Sequence, residues 1–449
     1  MCVSRTLSLP FFFFSLISHF DAMMARVFVC LLLAAAVLVA LLVDVDVGMA
    51  DTGNEGVIVA DSTGALHINS SDPAAQPVFV NGLDVMGVIE AQQRLLELQN
   101  ETLAELRGLV ASQSHELSLQ RQEVCRLQQA DLSMIPDAGP PVHKWAGGVL
   151  GPNGLIFGVP SSAEAVLIID PATNTLNRTA IGGLPLDNLK WNGGVLAPSN
   201  NIIYCFPDKH GSVLKVDPVN HTANWTAITG LDTDTRKFRG GVLGNNGLIY
   251  ATPYSATFVL IIDPKTDAID TTTLGGLGSQ PFKWWGSVVA PDGRIFCIPY
   301  NADAVLIVDP DTHTLDTTSI AGLGHEGLKW NGGVLAGNGL IYGIPYDSEA
   351  VLVIDLDALT ADTTTIAGME DSGKWIGGLL SARGRVVGIP SQSESVLLLD
   401  PSTGTADTTT LAGAGASGGK YHGGVLASNG LIYALPDRAD TVLVIDVGC

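Results

Sequence analysis

Between residues 144 and 449 the apolar and polar positions fall into short, regular bursts. The unit starting at Lys283 shows the scheme: "KWWGSVVA", the turn "PDG", "RIFCIP", the loop "YNAD", "AVLIVD", the turn "PDTHT" and the Thr-rich "LDTTSIAGLG". Each burst has the length of a strand, and Gly, Pro, Asn and Asp punctuate them. The third burst is unbroken and apolar, which predicts a strand buried on both faces. The fourth alternates, which predicts a half-exposed outer strand.

The unit recurs. A lysine, an aromatic, a variable residue and Gly-Gly or Gly-Ser begin at Lys144, Lys190, Lys237, Lys283, Lys329, Lys374 and Lys420, at intervals of 46, 47, 46, 46, 45 and 46 residues. Such a period marks a repeat architecture. Four antiparallel strands per unit, repeated radially, make a β-propeller blade. An open β-solenoid is the alternative, but it normally has shorter repeats and a polar cap at both ends. The last unit stops after its third strand, "TVLVIDVGC". The segment before the first unit, "DLSMIPDAGPPVHKW" (131–145), aligns without a gap on "DTTSIAGLGHEGLKW" (316–330), and Asp131 precedes Lys144 by 13 residues as Asp316 precedes Lys329. The front segment should therefore supply the missing outer strand and close the ring, which leaves no exposed edge. The expected fold is all-β, a seven-bladed β-propeller over 131–449 with an N-terminal strand closing the last blade. The units resemble kelch, WD-repeat, NHL and YVTN-type propellers in length and layout. With no WD dipeptide and no kelch signature, that resemblance implies the architecture and no specific family.

A different periodicity precedes the repeats. Ile89, Leu96, Leu103, Val110, Leu117 and Val124 are spaced by seven, with Gln92, Gln99, Leu106, Gln113, Gln120 and Leu127 three residues further on. This a/d pattern predicts an α-helical coiled-coil stalk over 85–130. A single helix packed on a domain is the alternative, but a 3.6-residue period would drift about 20° per heptad. Glutamines at d weaken the seam and can fix one register, so a parallel homotrimer is expected, then a dimer. Cys125 lies beside the a-position Val124 and could form an interchain disulfide. Residues 51–84 alternate with an "NG" turn and form a short β-rich segment. They resemble the β segments that lead into the stalks of trimeric fibre proteins.

The first 50 residues hold two apolar runs, 7–20 and Val27–Val43. Met23, Met24 and Arg26 precede the second, and Gly48 and Ala50 follow at small-residue cleavage positions, so it reads as a signal peptide cut after Ala50. As an uncleaved signal anchor it would be at the lower length limit for a membrane span, with the charge pattern leaving the C-terminus outside. Either way the propeller is expected to be extracytoplasmic, secreted or membrane-anchored. The sequons at Asn69, Asn100, Asn177, Asn220 and Asn224 then become candidate glycosylation sites.

Composition narrows the partners. Hydrophobic residues make up 46% and charged residues 15%, enough for a large core. A net charge of −22 repels nucleic acid and anionic lipid. The six cysteines show no CxxC spacing, so no zinc site is indicated. No metal or cofactor is expected. The Asp-Pro pairs at Asp170, Asp217, Asp263, Asp309 and Asp400 read as turns; a calcium site would need several oxygens converging on one point.

Within each unit the Gly-Gly pair should let backbones crowd at the axis, and the aromatics at the second position (Trp145, Trp191, Phe238, Trp284, Trp330, Trp375, Tyr421) should pack between blades. The lysines have two readings: a cationic ring that holds an anion, or repeated ion pairs with the Asp of each fourth strand. Binding is sought where the repeats differ. The third position holds Ala146, Asn192, Arg239, Trp285, Asn331, Ile376 and His422. The loop after the second strand varies too, and Tyr254, Tyr300 and Tyr346 there are expected contacts on the same rim. The leading function is a recognition module that presents propellers on an oligomeric stalk, with a glycan or surface protein as ligand. An enzyme of the lactonase or lyase kind would need an acid/base pair or a metal at the axis. Only His422 among the histidines is placed there. A structural coat component is the third option.

Overall fold

The computed structural model describes residues 47–49, 57–60, 66–69, 78–80, 83–125, 130–139, 143–325 and 327–448. The expected signal or anchor, at 27–43, lies outside them. Among the described residues no helix is long and apolar enough to cross a membrane. The chain divides into two compact units, Met1–Arg121 and Gln122–Cys449.

The first unit contains short antiparallel pairs. Val57–Ala60 pairs with Leu66–Asn69, and Val78–Val80 pairs with both Val47–Met49 and Leu83–Asp84. A helix, α1, follows over Val85–Cys125. Its heptad positions Ile89, Leu96, Leu103 and Val110 are 41, 57, 49 and 61% exposed. One chain leaves the predicted seam bare. The side chain of Cys125 lies outside the described residues.

The second unit contains seven four-stranded antiparallel sheets, one per repeat. In the fourth blade Trp284–Val289, Ile295–Pro299, Leu306–Asp309 and Thr314–Asp316 run in that order from the axis outward. Burial follows the expected pattern: the second and third strands are almost wholly buried and the fourth is partly exposed. Closure occurs as expected. Asp131–Ile135 pairs with Val442–Asp446, in the register Ile135 with Val442 through Asp131 with Asp446.

Three features hold the ring. Apolar clusters sit between blades rather than within them: Trp145, Ile156 and Leu167 of the first blade pack with Tyr433, Leu435 and Val442 of the last. Each indole of the repeat also donates to a carbonyl some 20 residues on, as Trp284 does to Ala304 at 2.8 Å. Secondly, a backbone relay links neighbours. The residue after the proline that ends each second strand donates to the lysine carbonyl of its own blade and accepts from the next blade's lysine N–H. Tyr254 N to Lys237 O is 2.8 Å, and Lys329 N to Tyr300 O is 2.8 Å. The relay passes across the closure, Lys144 N to Asp437 O, at 3.0 Å. Thirdly, the first glycine of each pair sits at the axis with positive φ. A Cβ on Gly193 would come 2.9 Å from the Cα of Gly240, and one on Gly423 would come 3.4 Å from the Cα of Gly147, so the circle closes on itself. Only glycine allows both that conformation and that approach.

Candidate functional site

An axial cavity of about 490 Å³ lies at the end where the first strands begin. Three positions of the repeat build it. One is the variable third position: Ala146, Asn192, Arg239, Trp285, Ile376 and His422 line the cavity. The second is the residue after the second-strand proline, which brings in Tyr254, Tyr300 and Tyr346 together with Ser161, Ser391 and Asp437. The relay described above fixes the backbone of this position in every blade, so its side chain has one place to go. The third is the residue just before each lysine, and His143, Leu189, Arg236, Phe282, Leu328 and Gly419 line the cavity from there. This tier was not singled out from the sequence. Its signal was present: the position varies freely beside an invariant lysine.

Aromatic side chains form one arc of the wall. Tyr254, Trp285 and Tyr300 make a buried cluster, with Phe282, Leu328 and Tyr346 against it. The rings of Trp285 and Tyr300 meet edge to face with centroids 4.9 Å apart, and Tyr346 continues the row 5.8 Å from Tyr300. Such geometry is favourable for quadrupolar rings. Burial raises the hydroxyls of Tyr254 and Tyr346, so they remain neutral donors.

Arg239 is the charged centre. Its guanidinium carbon lies 4.5 Å from the Tyr254 ring centre and 4.1 Å from that of Trp285. Its Nη2 donates to Asp208 Oδ2 at 3.0 Å. Burial pushes the Asp208 carboxyl upward and the guanidinium opposes it. Two atoms of this pair, Asp208 Oδ1 and Arg239 Nε, are buried without a partner. Opposite stands His422, 5.5 Å from the Trp285 ring and 3.5 Å from the Asn192 amide. Burial lowers its pKa to about 4, so the imidazole is neutral near pH 7. At the rim, His143 Nδ1 lies 3.0 Å from Asp437 Oδ2, and Arg438 Nη2 donates to His143 Nε2 at 2.7 Å.

The lysines are placed differently from either expectation. None of Lys144, Lys190, Lys237, Lys283, Lys329, Lys374 and Lys420 lines the cavity, and all are buried. Their ammonium groups donate to backbone carbonyls: Lys190 to Ala163 and Asp187 at 3.1 and 2.9 Å, Lys329 to Ala302 and Gly324 at 3.0 and 2.8 Å, and Lys374 to Asp371. Five of the seven also approach the neighbouring indole, at 5.7 to 6.0 Å. Burial lowers Lys190, Lys237, Lys283 and Lys329 to about 8. They tie blade to blade. The Asp of the fourth strand has its own work: Asp316 Oδ1 accepts the N–H groups of Thr318 and Ser319, closing a turn. The Asp-Pro carboxylates likewise cap turns, as Asp170 does with Ala172 N at 2.8 Å. Asn331 is buried with its Nδ2 unpaired and does not line the cavity.

Asn177, Asn220 and Asn224 are exposed on the outer edges of the first two blades, and Asn100 is exposed on α1. The side chain of Asn69 lies outside the described residues. Among the described residues no group of three or more His, Cys, Asp or Glu converges as metal ligands would.

The chain is similar in structure to a streptogramin B lyase, at 10% identity over 70% of this chain and 97% of that one, with a TM-score of 0.55. It is similar to a catalytically inactive histidine-to-alanine variant of virginiamycin B lyase from Staphylococcus aureus with quinupristin: 10% identity, 71% and 99% coverage, TM-score 0.56. It also resembles the extracellular domain of a hybrid two component system from B. thetaiotaomicron, at 10% identity over 68% of this chain and 40% of that one, TM-score 0.51. At these identities the likeness shows the propeller fold. No family model and no curated protein matches the chain.

Proposed function

We propose that this protein is an extracytoplasmic recognition module whose axial cavity binds a glycan, and whose helix joins several propellers into one multivalent particle. The observation that carries the reading is the arc of Tyr254, Trp285, Tyr300 and Tyr346 in a cavity of about 490 Å³ that amide, hydroxyl, imidazole and guanidinium groups also line. Flat aromatic faces suit the apolar C–H face of a sugar ring, and the amide, hydroxyl and imidazole groups around them suit its hydroxyls. The exposed heptad seam of α1 supports association through a coiled coil, with a parallel homotrimer as the expected state. Multivalency then raises weak single-site affinity. The apolar run at 27–43 and the structural likeness to an extracellular sensor domain support an extracytoplasmic location, by cleavage of a signal or by an anchor. A surface protein is the alternative ligand on the same rim.

The test is a glycan array probed with purified protein and with Trp285→Ala. Array signals that disappear in the variant support the reading; a silent array together with a protein partner captured through the same rim would replace it. One observation favours a second reading. His422 is a neutral, axial imidazole of the kind a lyase or hydrolase uses as a general base, and two of the structural neighbours are lyases. Consumption of an array-positive ligand, lost in His422→Gln, would establish that activity.

A further inference from the structure

The charges of the cavity run against those of the molecule. The chain carries a net charge of −22, yet three of the seven arginines between residues 131 and 449 line this one cavity: Arg236, Arg239 and Arg438. Only one carboxylate, Asp437, lines it with them, and Asp208 stands behind Arg239. Asp437 is engaged by His143 at 3.0 Å, and Asp208 through its Oδ2 by Arg239 at 3.0 Å, its Oδ1 having no partner. Arg236 makes no hydrogen bond or ion pair among the described residues, and the Nε of Arg239 is buried with no acceptor. A buried N–H without a partner costs about 1–3 kcal/mol, and a bound acceptor removes that cost.

We infer that the ligand of this cavity is an acidic saccharide, with the ring of a carboxylate-bearing sugar on the aromatic arc and its carboxylate at the arginines. The inference rests on the glycan reading and names the class of sugar. A guanidinium offers its donors in a planar fork that matches a carboxylate. Arg239 is pinned between Tyr254 and Trp285, so the charge and the aromatic faces that stack a sugar ring occupy the same wall. A neutral sugar would leave Arg236 and the Arg239 Nε unmatched. A small inorganic anion would leave the aromatic arc uncovered. A uronate satisfies both. An acidic exterior around a cationic cavity also slows non-specific capture of polyanions and leaves recognition to the local field.

The test is calorimetric titration of the full chain with glucuronic acid, glucose and inorganic phosphate at low salt. Glucuronic acid is expected to bind at least about tenfold more tightly than glucose, which is the worth of one charge-assisted hydrogen bond. Arg236→Gln should erase most of that preference while leaving the melting temperature unchanged, because Arg236 is only half-buried and makes no hydrogen bond among the described residues. Equal affinity for the two sugars overturns the inference and leaves the glycan reading standing. So does phosphate binding as tightly as glucuronic acid, or a preference that survives Arg236→Gln. Absence of binding by both sugars, with a silent glycan array, removes the glycan reading itself.

Discussion

Lys283 is repeated in kind seven times, yet neither of the chemical roles its charge suggests is the one it performs. Its ammonium donates to the Gln280 carbonyl at 2.9 Å beside the Trp284 ring. Buried without a carboxylate, a cation must be met by carbonyl dipoles and a π face. Lys283→Ala strands that carbonyl and uncovers the indole, so the urea midpoint should report a loss of about 1–3 kcal/mol. His422 gives a pH signature. Its folded pKa is lowered to about 4 from an ordinary 6.5. The unfolded chain therefore takes the proton first, and stability falls as pH drops through that window and levels off below it. Melting temperatures of the wild type and His422→Gln, followed from pH 7 to 4, should diverge, with the wild type losing more. The imidazole keeps some contact with the cavity, so the effect is smaller than full burial would produce. Glycine also matters by position. Gly154→Ala meets only open space at φ +79°, whereas Gly193→Ala would press on the Gly240 backbone at φ +70°. The first should cost about 1–2 kcal/mol for the left-handed conformation, and the second distinctly more.

At the scale of elements, the outer strands show one turn written in two residues. In the third to sixth blades an Asp closes the strand, as Asp362 does by accepting from Thr364 N at 2.7 Å. In the first and second blades Asn177 and Asn224 do the same, accepting from Thr179 N and Thr226 N at 2.9 Å. The Asn-x-Thr pattern is thus a turn motif as well as a sequon. Asn177→Asp should keep the melting temperature and, in protein from a secretory host, remove the mass of one glycan if that site is used. The helix α1 has its own test. Ile89, Leu96, Leu103 and Val110 stand exposed along one chain's helix, and a coiled coil would cover them. Light scattering should give a trimer for the full chain and a monomer after deletion of 85–125, with the propeller's melting unchanged.

The whole molecule depends on its closure. Asp131–Ile135 supplies the last outer strand, Ile135 is 8% exposed, and Ala138 N donates to Asp440 O at 2.8 Å. Removing residues 131–135 would uncover Val442–Asp446 as an open edge, and such edges pair with other chains. The shortened protein should melt at a lower temperature and scatter light in a concentration-dependent way. Ile135→Asp, which keeps the strand but not its buried side chain, should lose about 1.5–3 kcal/mol.

The periodicities of this chain determined what depends on them alone. Strand length, the four strands per unit, the seven units and the borrowed strand are all readable because turn residues and apolar runs act locally and repeat. The helix was legible in the same way, while whether other helices cover its seam is not a property of one chain. The cavity was legible in part. The third-position residues Arg239, Trp285 and His422 and the loop tyrosines differ between repeats, and difference marks a site in an otherwise uniform ring. Its remaining features came only with the tertiary structure. The tier holding Arg236 and Phe282 faces the axis because the backbone relay turns it there, and the Arg239–Asp208 pair joins neighbouring blades. The lysines' partners are main-chain carbonyls, which every residue carries, so no pattern of side chains could announce which of them would converge.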